Sequence, residues 1–114
     1  YPQRSTVGFG AIDWTKLSRL DFELPDRDTF RCLDLAYAAG RVGGTAPAWL
    51  SAANEIAVEA FLAGDVQWSQ IPTIIEATMQ HHDGLMPIEV EDILEADKVA
   101  RHRARDIVRK EVVN

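Results

Sequence analysis

His81, His82 and Asp83 stand consecutively and are all capable of binding a metal ion. Consecutive helical positions diverge by about 100 degrees, so the three cannot all face one ion, and no second ligand pair is spaced to complete a site. The alternative is a helix end at which imidazoles meet the negative pole of the helix. Glu55 and Glu59 share a helical face at i and i+4. Two carboxylates make neither a hydrolase nor a metal site without an acid partner, a third ligand or a cleft. No serine or cysteine has an identifiable base, so no nucleophile constellation emerges.

Gly40-Arg41-Val42-Gly43-Gly44 precedes a capped helix and could hold a phosphate on backbone N–H groups. A nucleotide loop of that kind follows a strand, whereas this one follows a helical pattern, which favours an exit turn with permissive glycines. Lys98, Arg101, Arg103, Arg105, Arg109 and Lys110 make the last helix basic, behind an acidic run of Glu89, Glu91, Asp92, Glu95 and Asp97. That order suits the helix dipole and reads as a solvated face rather than a nucleic-acid reader. Asn54 and Glu55 interrupt an alanine-rich helix, and are expected to tie it to a neighbouring backbone or loop, or to contact domains outside this chain. No catalytic, cofactor-binding or metal-binding residue is therefore expected.

A length of 114 residues allows one domain, and 46% hydrophobic content suits a globular core. A formal net charge of −6 argues against broad nucleic-acid binding. No apolar run approaches the roughly 18 residues of a membrane span, so no membrane partner is expected. The single cysteine, Cys32, cannot form an internal disulfide and reads as a buried apolar residue, in keeping with a reducing, cytoplasmic setting. The start at Tyr1-Pro2, without an initiator methionine, reads as a piece of a longer polypeptide.

The elements that would position these groups are helices. Residues 1–26 lack helical periodicity and are punctuated by Pro2, Gly8, Gly10 and Pro25. Leu20-Asp21-Phe22-Glu23-Leu24 alternates like a half-buried strand, which makes this segment an extended linker that expects a partner surface elsewhere. Asp26 or Asp28 is expected to cap a first helix ending near Gly40, with Gly43 and Gly44 as its exit. Thr45 is expected to cap a second, with Pro47 in the first turn, a stripe of Ala46, Leu50, Ala53, Ala57, Ala60 and Phe61, and a stop at Gly64. Ser69 is expected to cap a third, carrying Ile71, Ile74, Ile75, Thr78 and Met79 and ending around His82. A short turn with Ile93 and Leu94, then a cap at Asp97, precede a last helix that buries Val99, Ala100, Ala104, Ile107, Val108 and Val112. The prediction is all-α: a four-helix bundle-like domain over 27–114 preceded by an extended linker over 1–26.

Leu33-Asp34-Leu35-Ala36, the turn from Ala39 to Ala48, Ala52-Ala53-Asn54-Glu55 and Ala60-Phe61-Leu62-Ala63-Gly64 closely resemble the carboxy-terminal domain of the 1-deoxy-D-xylulose 5-phosphate reductoisomerases. Tyr1-Pro2-Gln3-Arg4 is similar to the stretch that ends that family's catalytic domain, and Leu20-Asp21-Phe22 with Pro25-Asp26 to its linker. The stretch from Val90 to Val112 resembles its final helices. Arg31 and Ser51 depart from the family's frequent proline and asparagine.

The resemblance implies part of an enzyme of non-mevalonate isoprenoid biosynthesis, dependent on NADPH and on Mg or Mn, that forms 2-C-methyl-D-erythritol 4-phosphate. It implies a cytoplasmic, V-shaped homodimer in which this segment supports the enzyme's own catalytic domain. The family's catalytic, cofactor and metal residues precede the matched part, so none carries over. A free-standing helical interaction module is the alternative that the residues alone allow.

Overall fold

The computed structural model describes residues 12–17 and 19–112. Its order is α1 (Cys32–Val42), α2 (Ala46–Ala63), a single 3-10 turn (Trp68–Gln70), α3 (Ile71–Met79) and α4 (Val90–Val112), and no strand occurs among the described residues. The all-α, four-helix expectation holds. The strand expected at Leu20–Leu24 does not form: these residues have no regular structure, and Phe22 and Leu24 are 88% and 94% exposed. An alternating pattern needs a partner strand before its backbone groups can pair. Tyr1 to Arg4, Gly8 and Gly10 lie outside the described residues.

α2 is the central helix and lies along α4, α3 and α1. Its contact face is mostly alanine, with Ala46, Ala52, Ala53, Ala57 and Ala60 all buried, so neighbouring backbones can approach closely. Larger side chains close the ends: Trp49 against Ala96 and Ala100 of α4, and Ile56 among Ile71, Ile74 and Ile75 of α3 and Ala104 and Val108 of α4. Ile74 is fully buried and Ile75 nearly so, each worth about 1.5–3 kcal/mol of apolar burial. The expected stripe holds at Ala46, Ala53, Ala57 and Ala60, and Leu50 packs against the core, but Phe61 is 37% exposed and outside it, whereas Trp49, Ala52 and Ile56 are inside it. On α4, Val99 and Val112 are likewise exposed and Ala96 is buried instead. With a core two partners deep on α2, the buried arc is wider than a single stripe of i, i+3 and i+4 positions.

Several helix ends differ from the expected ones. α1 begins at Cys32, because Asp26 caps the preceding turn, accepting the Thr29 N–H at 3.0 Å. It runs through Gly40 to Val42 and closes at Gly43, whose N–H donates to the Ala39 carbonyl. Ser69 falls within the 3-10 turn, where Gln67 and Gln70 form a reciprocal box, and Pro72 then opens α3. α3 stops at Met79, with His81 and His82 in the turn that follows. α4 is one helix of 23 residues. Asp97 lies in its interior, and it is Asp92 that secures the start, accepting the N–H groups of Ile88 and Glu89 at 2.8 and 3.2 Å.

Candidate functional site

The Gly43, Thr45 and Ala46 amides at the glycine turn are already taken. The Thr45 N–H donates to the Leu85 carbonyl at 3.2 Å, the Ala46 N–H to the Gly43 carbonyl at 3.0 Å, and the Gly43 N–H is held by Ala39. The space over Gly44 is filled as well, since a Cβ there would lie 2.7 Å from the Leu85 oxygen and 2.8 Å from the Met86 sulfur. The turn is thus the seat of the 83–88 loop. With φ of +69° and +57°, Gly43 and Gly44 occupy backbone conformations that glycine tolerates best.

Thr45 occupies the cap position of α2 but does not cap it. Its hydroxyl donates to the Leu85 carbonyl at 3.1 Å and meets His82 Nε2 at 2.9 Å. The His82 ring stands edge-on to Trp49, with centroids 5.6 Å apart, and Nδ1 accepts the Gly84 N–H at 3.3 Å. Asp83 accepts the Leu85 N–H at 3.0 Å. His82 and Asp83 are thereby spent on the chain's own loop. Among the described residues, no three His, Cys, Asp or Glu side chains are grouped so as to hold a metal ion.

Glu55 does tie α2 to a neighbour: its carboxylate accepts from Arg101 of α4 at 2.7 Å, and the same guanidinium is held by Asp97 at 2.7 Å. Those two carboxylates, Asp97 first, raise the Arg101 pKa and hold it firmly charged. Glu59 lies apart on the exposed rim of a cleft with Arg105 and Arg109, so Glu55 and Glu59 do not act together. Asn54 is exposed and its side chain makes no hydrogen bond among the described residues. It borders a shallow cleft of about 340 Å³ with Cys32, Ala36, Leu50, Ser51 and Ile75. Cys32 is half-buried, and burial pushes its thiol above the usual range, away from the reactive thiolate. The basic half of α4 is laced internally, Arg109 pairing with Asp106, whose carboxyl is held below the usual range chiefly by that contact.

Several large apolar side chains are also exposed among the described residues. Leu85, Met86, Ile88, Val90, Ile93 and Leu94 are exposed along the 83–88 loop and the start of α4, as are Trp14, Leu20, Phe22 and Leu24 before the bundle. Phe30 and Trp68 form an exposed edge-to-face pair at 6.4 Å.

The profile of the DXP reductoisomerase C-terminal domain matches residues 1–103. The chain belongs to this family. It is 44% identical over 106 residues to the 1-deoxy-D-xylulose 5-phosphate reductoisomerase of Chloroherpeton thalassium, covering 93% of this chain and 27% of that one. To the enzyme of Desulforamulus reducens it is 47% identical over 109 residues, covering 96% and 28%. The chain thus spans little more than a quarter of the length of these relatives. Among solved structures, the Zymomonas mobilis reductoisomerase in complex with NADPH superposes with a TM-score of 0.82 at 38% identity, over 95% of this chain and 29% of that one. A DOX-P reductoisomerase with fosmidomycin and magnesium gives 0.80 at 35%, over 100% and 31%. Among the described residues no His, Cys, Asp or Glu grouping fits a magnesium ion, and no chemical step is assigned to them.

Sequence reasoning missed the Thr45, His82 and Leu85 junction and the Glu55 to Arg101 bond. The Asp97 and Arg101 pair was visible as an i, i+4 spacing, but partners 37 to 46 residues apart leave no local signal.

Proposed function

We propose that this chain is the carboxy-terminal helical domain of a 1-deoxy-D-xylulose 5-phosphate reductoisomerase, and that it acts as a support rather than a catalyst. The parent enzyme would use NADPH and Mg or Mn to rearrange and reduce its sugar phosphate to 2-C-methyl-D-erythritol 4-phosphate, in the cytoplasm and as a homodimer. Its catalytic, cofactor and metal residues would lie outside this chain. Residues 27–114 would form the bundle and residues 1–26 the linker, with the exposed apolar residues of linker and bundle covered by the enzyme's own catalytic domain. Nucleic acid and membrane are not partners in this reading; no helix among the described residues is long and apolar enough to cross a membrane.

The observation that carries the reading is the family match over residues 1–103, in a chain that spans little more than a quarter of its relatives' length. Fluorescence titration of the chain with NADPH, with and without Mg, tests it: no saturable binding is expected, and tight stoichiometric binding overturns the assignment.

A further inference from the structure

The Thr45 hydroxyl carries one proton, and the Leu85 carbonyl can only accept. That proton is therefore committed to Leu85, and at the 2.9 Å contact His82 Nε2 must be the donor. The neutral ring is fixed as the Nε2–H tautomer, leaving Nδ1 a bare lone pair directed at the Gly84 N–H. The loop depends on both ends of one imidazole, because the residues beyond it fill the space over Gly44 and its carbonyl receives two bonds from Thr45.

A second proton can enter the ring only at Nδ1. The bond to Thr45 survives, but Nδ1–H then confronts Gly84 N–H, donor against donor. The adjoining anion is Asp83, now engaged with the Leu85 N–H. Toward α1 and α3 the ring is walled by Leu35, Ala38, Ala39, Val42 and Met79, none of which titrates in this range. From α2 it meets Thr45 and Trp49. The α4 carboxylates Asp92 and Glu95 share a cleft with Asp83 and Trp49, and no cationic side chain lines it. The carboxylate adjoining the imidazolium would be Asp83, which could leave the Leu85 N–H and turn to Nδ1–H.

We propose that His82 is a proton-operated latch on the 83–88 loop: neutral, it holds the loop on the glycine turn, and on protonation it draws Asp83 off Leu85 and unseats the loop. The segment released carries Leu85, Met86 and Ile88, all exposed apolar residues, so the latch sets the position of part of the uncovered surface.

Heteronuclear NMR of the 114-residue chain tests this. At about pH 8 the His82 ring should show the Nε2–H tautomer. On acidification, the Gly84 and Leu85 amide shifts should move together with the His82 ring resonances. The protection factor of the Thr45 amide should fall roughly three- to tenfold over the same interval, the size expected for loss of one hydrogen bond. His82→Gln should abolish the response at unchanged helical circular dichroism. Asp83→Asn should leave the ring titrating while Thr45 stays protected, a readout that does not depend on the first variant folding. An Nδ1–H tautomer at high pH, constant Thr45 protection through the His82 titration, or an undiminished response in His82→Gln would each overturn the proposal.

Discussion

Replacing Gly44 by alanine probes the junction on which α2 and the 83–88 loop meet. Two costs add. At φ +57° an L side chain is strained by about 1–2 kcal/mol. The new Cβ would also lie 2.7 Å from the Leu85 oxygen and 2.8 Å from the Met86 sulfur. Met86 can swing aside, but the Leu85 carbonyl is fixed by the Thr45 amide and hydroxyl, so the loop itself must move, at an overpacking cost of about 1–3 kcal/mol. The sum is about 2–5 kcal/mol. Gly64→Ala is the matched control, since Gly64 also has positive φ, at +83°, but its Cβ would point into open space. It should lose only the backbone strain of about 1–2 kcal/mol. With a urea m-value of about 1–3 kcal/mol per molar, the two variants should differ in unfolding midpoint by on the order of 1 M. Equal midpoints would mean that the loop is not seated on the turn.

Ile74→Ala, at a fully buried position, should cost about 2–5 kcal/mol in the same melts, whereas the partly exposed Phe61→Ala should cost about 1 kcal/mol; the reverse order would restore Phe61 to the core. The Asp92 carboxyl is held below the usual aspartate range by the N–H groups of Ile88 and then Glu89. Its contribution is complete above about pH 4 and is lost as the pH falls through the depressed folded value, so Asp92→Asn should lower stability at neutral pH, leave it little changed at low pH, and thereby flatten part of the acid limb of a stability-against-pH curve. Trypsin should cut first at Lys16 and Arg19, which stand in an exposed segment without regular structure, and leave a helical fragment; equal resistance of these sites and of α2 would place the linker inside the fold.

The four helices were legible because proline, glycine and apolar spacing act locally: Pro47 and Pro72 do open helices, and Gly43 and Gly64 do close them. Starts were harder to place, since a side chain with a cap's chemistry can be used elsewhere. Thr45 turns to His82 and Leu85, and Asp26 serves the turn before α1. Asp97 looked like a cap because acidic residues precede a basic stretch, yet Asp92 had already anchored the helix five residues earlier. Phe61 misled by size: on a helix wrapped by three neighbours, small residues take the tightest contacts and a large ring is left at the edge. The way His82 and Glu55 are spent was not readable, because their partners lie far along the chain.

The central claim is that this domain lends packing and no reacting group to its enzyme, and steady-state kinetics decide it. In a full-length reductoisomerase carrying this chain as its carboxy-terminal domain, Glu55→Gln, Glu59→Gln, His81→Gln, His82→Gln and Asp83→Asn would be assayed one at a time. Removing a general acid or base lowers turnover by about 10²–10⁴-fold. The account predicts that kcat of each correctly folded variant stays within about threefold of the parent value; a fall of a hundredfold or more in any one of them, with stability unchanged, would contradict it.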